Sequence, residues 1–273
     1  MAQAGIDRIR AWVRPEKTGN RRMTSQVETA QAFRAMHVKG APLVLWNIWD
    51  AGSARAVADA GAGAIATGSW AVAAAQGFAD GQALPMEAAL RVAKQVVGAV
   101  DVPVSVDFEG GYAVAPAEIA ENVGRLIETG VAGLNIEDRV VGGEGLYPIA
   151  EHAARIAAVR TAAEAARVPL FINARTDVFF CGNKEPAGQL IEEALKRAAA
   201  YADAGADGLF VPGLEDPELI ARVSARQSLP VNVMRTGDTI SLADLAQAGA
   251  ARISHGPGPY IATMKALTEA ALV

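Results

Sequence analysis

From residue 41 onward, short apolar runs of β-type composition alternate with longer, alanine-rich stretches that have helical periodicity. This alternation is typical of parallel strands that are covered by helices. The apolar runs predict eight strands, at 43–46, 64–67, 102–106, 133–136, 170–173, 208–211, 231–234 and 252–254. The periodic stretches predict eight helices, near 51–61, 86–98, 116–130, 149–166, 187–205, 215–226, 241–248 and 257–271.

Glycine and proline punctuate this pattern at the expected places. Several predicted helices end at a glycine just before the next strand, as in ADAGAGAIAT and AQAGAARIS, and glycine closes a last helical turn without strain. The length of 273 residues would allow two domains. However, eight successive βα units of uniform composition predict one (β/α)8 TIM-type barrel at 41–273, preceded by an N-terminal arm and helix at 1–40.

Composition narrows the class of protein. The chain is 51% hydrophobic and 20% charged, which is enough apolar surface for a large core and excludes global disorder. No apolar run approaches the ~18 residues needed to span a bilayer, so no membrane association is expected. The single cysteine, Cys181, excludes a disulfide framework and fits a reducing compartment, so a cytoplasmic location is expected. Cys181 itself is interpreted as a small buried hydrophobic residue.

Charge is distributed unevenly along the chain. The net charge is −5, but residues 1–22 hold six basic and two acidic residues, which leaves −9 on the remainder. Binding of nucleic acid requires a basic surface, so the acidic body indicates a small-molecule partner and no nucleic acid. The basic start has no apolar segment and therefore is not expected to be a secretory signal.

Acidic residues follow two neighbouring predicted strands, at the end of a βα barrel where active sites lie. Asp107 and Glu109 follow the third strand, and alternate residues of an extended chain point the same way. Glu137 follows the fourth strand. Three carboxylates in one partly buried site repel one another unless they are protonated or bind a cation, and oxygen ligands suit Mg²⁺. The competing interpretation is that these acids are solvated or pair with Arg175.

Two further features at this end of the barrel can bind anionic groups. Arg175 follows the fifth strand, and its guanidinium can grip a carboxylate or phosphonate through two parallel hydrogen bonds. Alternatively, it forms a structural pair with Asp177 or Glu137. The turn at Gly68 and Ser69, after the second strand, can present backbone N–H groups to an anionic oxygen, or it is a plain tight turn.

At these residues the sequence resembles the isocitrate lyase and phosphoenolpyruvate mutase superfamily, in its small single-domain branch, from about residue 23 to the C-terminus. The resemblance rests on segments at 53–55 (SAR), 66–69 (ATGS), 77–80 (GFAD), 107–112 (DFEGGY), 133–138 (GLNIED) and 173–177 (NARTD). It implies a βα barrel whose last helix is exchanged between subunits, in a homotetramer that is a dimer of dimers. It also implies Mg²⁺ or Mn²⁺ around Asp107, with Glu109 and Glu137 binding the metal directly or through waters.

The resemblance further implies a substrate site. Asp80 and Arg175 would line it, and the turn at Gly68 and Ser69 would bind the carboxylate or enolate oxygen of the substrate. Arg175, Glu137 and Asp80 are the expected catalytic residues. Members of this superfamily make or break a bond next to a 2-oxo acid and pass through a pyruvate-type enolate. That chemistry requires a Lewis acid and a cationic clamp, which the residues themselves also indicate.

The loop at 138–148 departs from the superfamily. Its sequence, DRVVGGEGLYP, lacks the Lys-Lys/Arg-Cys-Gly-His motif of the isocitrate and methylisocitrate lyases and also the lysine and asparagine of the mutases. The loop is glycine-rich and is interpreted as a mobile lid, with Glu144 and Tyr147 as its proton-handling candidates.

The sequence therefore predicts a Mg²⁺-dependent carbon–carbon lyase or decarboxylase that acts on a small 2-oxo or 2-hydroxy dicarboxylate through an enolate. One alternative is a mutase or hydrolase that cleaves a carbon–phosphorus bond in a phosphonopyruvate- or phosphoenolpyruvate-type substrate. A second is a non-catalytic protein of the same fold that binds a 2-oxo acid.

Overall fold

Parallel strands in a ring, alternating with helices, make up the computed structural model, which describes residues 25–181 and 185–272. The predicted (β/α)8 barrel is confirmed, and residues 1–24 of the predicted arm lie outside the described residues. The strands are β1 (Leu43–Leu45), β2 (Asn47–Ile48), β3 (Ile65–Thr67), β4 (Val104–Asp107), β5 (Gly133–Glu137), β6 (Phe171–Arg175), β7 (Gly208–Phe210), β8 (Val231–Met234) and β9 (Arg252–Ser254).

The helices cover the outside of the ring, with one exception at the N-terminal end of the barrel. They are α1 (Gln26–Ala35), α2 (Ala51–Asp59), α3 (Ser69–Ala75), α4 (Met86–Ala99), α5 (Pro116–Ile127), α6 (Ile149–Ala165), α7 (Val178–Cys181), α8 (Ala187–Asp203), α9 (Pro217–Arg226), α10 (Leu242–Gln247) and α11 (Gly258–Ala271). The short helices α3 and α7 were not predicted.

The first predicted strand is divided into β1 and β2 at Trp46. β1 pairs with β9, whereas β2 pairs with β3, so the two pieces together act as one barrel strand that closes the ring. The Asn47 side chain supports this closure, because its Oδ1 atom accepts hydrogen bonds from the backbone N–H groups of His255 at 3.0 Å and Gly256 at 2.9 Å. The eight predicted strands therefore correspond to nine segments in an eight-membered ring.

The N-terminal end of the barrel is closed by α1. Phe33 of this helix is fully buried and makes an edge contact with Phe171, with the ring centroids 5.6 Å apart. His37, just after the helix, stacks on the same phenylalanine at 3.9 Å. Burial and the nearby Arg252 lower the pKa of His37 to about 3, so the imidazole is neutral in this apolar plug. This packing leaves the carboxyl ends of the strands as the accessible end of the barrel.

The interior of the barrel contains a polar layer that supports this accessible end. The Asn173 amide donates to the Oδ1 atoms of Asn135, at 2.9 Å, and Asn232, at 3.0 Å. Asn135 in turn donates to the Oδ1 atom of Asp107 at 3.5 Å. Buried amides are stable when they hydrogen-bond to one another, and here they also link β4, β5, β6 and β8. One carboxylate oxygen of Asp107 is thus oriented from inside the barrel.

The last helix differs from the others, because α11 has no buried residue. Its apolar side chains Ile261 and Leu267 are exposed. Across the described part of the chain, none of the helices has the length and the apolar character that a membrane span requires.

Candidate active site

Asp107 ends β4 at the open end of the barrel and is nearly buried, with 11% of its side chain exposed. Its Oδ2 atom accepts hydrogen bonds from the Ser69 hydroxyl at 2.9 Å and the Ser69 backbone N–H at 3.3 Å. The Gly68 N–H donates to the Ile48 carbonyl at 3.1 Å. The structure therefore brings Asp107 next to the predicted turn, whose two N–H groups are engaged within the protein.

Glu109 lies in a strained loop directly after this strand. Its φ angle is +50°, and Tyr112 in the same loop has a φ angle of +56°. Residues other than glycine rarely adopt positive φ angles. The expectation of an extended chain through Glu109 is therefore wrong. The Glu109 carboxylate accepts hydrogen bonds from the Gln82 N–H at 2.6 Å and the Tyr112 hydroxyl at 3.4 Å. Burial and the neighbouring Asp107 carboxylate raise the pKa of Glu109 to about 7.

Arg175 lies at the centre of the acidic residues, at the end of β6. Its Nε and Nη2 atoms hold both carboxylate oxygens of the fully buried Asp177, at 2.6 and 2.9 Å. Its Nη1 atom is 2.9 Å from Glu137 and 4.0 Å from Asp107. The two-point grip predicted for a substrate is thus made with Asp177, and one guanidinium nitrogen faces the other carboxylates.

Glu137 ends β5 beside Arg175 and is buried. Burial raises the pKa of Glu137 to about 8, and the carboxylates of Asp177, Asp107 and Glu109 act in the same direction, whereas Arg175 opposes them. A carboxyl group that stays partly protonated near neutral pH can donate or accept a proton. Such a group at the mouth of a barrel is a candidate for acid–base chemistry.

Asp80 lies on the exposed rim of the site, in the loop that follows α3. It lies close enough to Asp107 and Arg175 for their charges to act on its pKa. Loss of hydration and the nearby Asp107 carboxylate raise its pKa. Asp80 therefore lies near Asp107, and its role in binding or catalysis stays a prediction.

The donor atoms of this site fit a hydrated metal ion better than a preformed metal cage. Within residues 25–181 and 185–272, no three His, Cys, Asp or Glu side chains are placed to hold a metal ion together. Glu137 pairs with the Arg175 guanidinium at 2.9 Å, whereas Asp107 lies 4.0 Å from it and accepts hydrogen bonds from the neutral groups of Ser69 and Asn135. Mg²⁺ usually keeps several waters and binds through one or two carboxylates, which agrees with this arrangement.

Within the loop at 138–148, which was interpreted as a lid, residues 139–147 form a small hairpin beside α6 and are called the lid segment. Arg139 and Leu146 form an isolated β-bridge, and the Tyr147 N–H donates to the Asp138 carbonyl at 2.8 Å. Of the two proton-handling candidates, Glu144 is exposed, and the Tyr147 ring packs against the Arg155 guanidinium at 4.3 Å. Tyr147 thus has a structural partner in this conformation.

Three residues of the site were not found by sequence reasoning. The Gln82 backbone N–H donates to the Glu109 carboxylate, the Asn135 amide to Asp107, and the Arg155 guanidinium to the Gly110 carbonyl. Such contacts carry no composition signal. Cys181 also differs from its prediction, because it is exposed rather than buried.

The raised pKa values predict how the stability of the metal-free protein depends on pH. Glu109, with its pKa at about 7, and Glu137, at about 8, hold their protons more tightly than they do when unfolded. Their contribution to stability is fully present below about pH 4.5 and is lost as the pH rises through about 7 to 8. For EDTA-treated protein, the titration of these two glutamates should therefore lower the urea concentration at the unfolding midpoint as the pH rises from 5.5 to 8.5.

A neutral variant isolates this component. Glu109→Gln cannot titrate and should lose less stability over this pH range than the wild type. Glu121→Gln, at an exposed position of α5, serves as the control and should follow the wild type. Identical pH profiles for Glu109→Gln and the wild type would contradict the prediction.

Known proteins of one family are similar to this chain over most of its length. Residues 33–272 match the family described as phosphoenolpyruvate phosphomutase. A solved structure from Burkholderia cenocepacia J2315, provisionally described as a phosphonomutase, is 51% identical with a TM-score of 0.87, over 90% of this chain and 98% of that one.

Two further relatives are described as enzymes with defined activities. The 2-methylisocitrate lyase of Bacillus subtilis (strain 168) is 28% identical over 80% of this chain and 71% of its own length. The oxaloacetate decarboxylase of Pseudomonas savastanoi pv. phaseolicola is 27% identical over 89% of this chain and 83% of its own length.

Proposed function

Because the chain belongs to the phosphoenolpyruvate phosphomutase family, we propose that it is a Mg²⁺-dependent carbon–carbon lyase or decarboxylase for a small 2-oxo or 2-hydroxy dicarboxylate. One observation carries the proposal. A single guanidinium nitrogen of Arg175 faces Glu137 and Asp107 at a largely buried barrel mouth. This arrangement can stabilise negative charge that develops on a substrate oxygen.

Asp107 is the residue proposed to hold the metal, with Glu109 and Glu137 assisting directly or through waters. When bound, Mg²⁺ (or Mn²⁺) supplies a Lewis acid for the 2-oxygen of the substrate. Neutralisation of the acidic group is a second benefit, because Asp107 raises the pKa of both glutamates. A cation at this position would favour their charged forms.

Arg175 and the turn at Gly68 and Ser69 are proposed to bind the substrate. Since Asp177 occupies two guanidinium nitrogens of Arg175, a substrate anion would contact Nη1 rather than the full fork. The hydroxyl and N–H of Ser69 donate to Asp107, the proposed metal ligand, and would have to turn from it to bind a substrate carboxylate. Asp80 lies on the exposed rim, where it can exchange a proton with solvent.

Decarboxylation fits the lid better than cleavage into two larger fragments. In decarboxylation of an oxaloacetate-like acid, the carbon–carbon bond breaks, CO₂ leaves uncharged, and the electron pair forms an enolate that takes up one proton. The departing fragment therefore requires no acid, and the lid at 139–147 contains neither cysteine nor histidine. Asp80 and Glu137, whose pKa values are raised, are the proposed groups for proton return to the carbon.

A carbon–phosphorus reaction on a phosphonopyruvate-like acid is the second candidate. The relative that supports it is the Burkholderia cenocepacia protein, which is 51% identical. Arg175 and Ser69 can bind a phosphonate as well as a carboxylate, because both groups present paired anionic oxygens.

Release of pyruvate from oxaloacetate and from phosphonopyruvate, each with Mg²⁺ and with EDTA, tests the proposal. We expect pyruvate from oxaloacetate only with protein and Mg²⁺ together, above the rate with Mg²⁺ alone. If phosphonopyruvate reacts and oxaloacetate does not, the result would favour the second candidate. If neither acid reacts but Mg²⁺ with oxalate raises the melting temperature, the protein is a binding protein of this fold.

A homo-oligomer is also proposed. The absence of buried residues in α11, with Ile261 and Leu267 exposed, is the expected state of a helix that packs on another copy of the chain. A dimer of dimers in which this helix is exchanged would have four times the mass of the chain, and light scattering measures that mass.

A further inference from the structure

The loop at 109–112 adopts a backbone conformation that needs external support. Glu109, Gly111 and Tyr112 all have positive φ angles, of 50°, 77° and 56°. For residues other than glycine this conformation is costly, and it persists only where surrounding contacts hold it. The loop carries the Glu109 carboxylate, so whatever holds the loop also sets the position of that group.

Arg155 of α6 holds this loop from beneath. It is 2% exposed, and its Nη2 atom donates to the Gly110 carbonyl at 2.6 Å. Its Nη1 atom donates to the carbonyls of Ala113, at 3.1 Å, and Val114, at 2.7 Å. In the described part of the chain, no carboxylate pairs with this guanidinium. Its charge is therefore compensated by these three loop carbonyls.

The same guanidinium contacts the lid segment. The Tyr147 ring lies 4.3 Å from the Cζ atom of Arg155, which is a favourable cation–π distance. Tyr147 is the last residue of the lid segment, and its N–H and carbonyl are fixed by Asp138, at 2.8 Å, and by Arg197, at 3.0 Å. Arg155 thus touches the strained loop with its nitrogens and the lid with its planar face.

We propose that Arg155 is a positioning residue that couples the lid segment to the Glu109 loop. When either segment moves, the guanidinium loses carbonyl acceptors on one side or the aromatic ring on the other. The lid and the Glu109 carboxylate therefore keep one arrangement relative to each other. The consequence of this coupling for catalysis rests on the proposed function, whereas the coupling itself does not.

A second arginine of the same helix provides a matched comparison. Arg160 also donates to a backbone carbonyl, that of Gly205, at 2.8 and 3.1 Å. However, it pairs with the Asp207 carboxylate at the opposite end of the barrel. Arg160 is thus a partly buried arginine, with 20% of its side chain exposed, that has a conventional acidic partner and no contact with the site.

Hydrogen exchange measured by mass spectrometry tests the coupling without any assay of activity. In Arg155→Met we expect the peptides that cover 109–114 and 139–147 to exchange at least about tenfold faster, since their supporting contacts are lost. Arg155→Lys should restore only part of the protection, because an ammonium group is not planar and has fewer donors. Arg160→Met should leave both peptides unchanged. Unchanged exchange in Arg155→Met, or an equal increase across the whole chain, would overturn the proposal.

Variants of the half-buried Tyr147 test the coupling if Arg155→Met does not fold. Tyr147→Phe keeps the aromatic face against Arg155 and should show the same hydrogen exchange as the wild type. Tyr147→Leu should accelerate exchange in 109–114 as well as in the lid, and acceleration confined to the lid would overturn the coupling.

Where the wild type turns over, Tyr147→Leu should also raise the Mg²⁺ concentration for half-maximal rate severalfold, whereas Tyr147→Phe should not. If the wild type turns over neither acid, the proposed function fails, while the exchange data still decide the coupling.

Discussion

Replacing Asp107 by asparagine is expected to lower kcat/KM by about 10³-fold, the scale on which enzymes lose rate when one key electrostatic group of the site is removed. The change is nearly isosteric, and an amide still accepts from Ser69, which donates to the carboxylate at 2.9 Å. The charge that is proposed to hold Mg²⁺ is lost. The melting temperature should therefore no longer rise when Mg²⁺ and oxalate are added.

Stability distinguishes this result from unfolding. Asp107 raises the pKa of Glu109 and Glu137 by repulsion, so its neutralisation should leave the metal-free protein as stable as the wild type or more so. Asp50→Asn is the matched control, because Asp50 also follows a barrel strand but caps α2, and asparagine caps equally well. A variant at Asp107 that retains both turnover and the oxalate shift would sink the proposed metal site.

Replacing Arg175 by methionine is expected to destabilise the protein by about 3–5 kcal/mol, since it leaves partners of a buried ion pair without compensation. Asp177 is fully buried and accepts both of its short hydrogen bonds from Arg175, and Glu137 is 8% exposed. Arg175→Lys retains the charge but not the two-point geometry and should lose less. Urea denaturation at pH 8 measures both effects, and turnover should be lost in the methionine variant.

The exposed pair of Arg226 and Glu192 provides the control. Its Nη2 and Oε2 atoms are 2.9 Å apart, with both side chains about half exposed, so Arg226→Met should cost no more than about 1 kcal/mol. If the two methionine variants lose equal stability, the network around Arg175 is not the buried anchor described above.

The barrel itself was predictable because its signal is local. Strands buried on both faces are apolar runs, and each is followed by a helix with its own periodicity. The division of the first strand at Trp46 was missed, since LVLW-NIW is apolar on both sides of the break. Helices α3 and α7 were missed because they span only seven and four residues.

The positions of the candidate site residues were predictable only where the topology of the barrel determines them. The proximity of Asp107, Glu137 and Arg175 was predictable because the carboxyl ends of barrel strands converge at one end of the ring. The arrangement of Glu109 could not be found, because its backbone is left-handed and its partner Gln82 comes from another loop. Arg155 has no distinguishing pattern in the sequence, since a basic residue on a helix usually faces water.

The division of the first strand has a consequence for the order in which the molecule assembles. β1 lies near the start of the chain, and its partner β9 is among the last segments to be made, with Val44 opposite Ile253. Contacts between residues so distant in sequence carry a large entropic cost and form late in folding. During synthesis on the ribosome, one edge of β1 should therefore stay unpaired until residue 254 has emerged. A nascent chain interrupted before this point would expose an open sheet edge, which is a known route to aggregation.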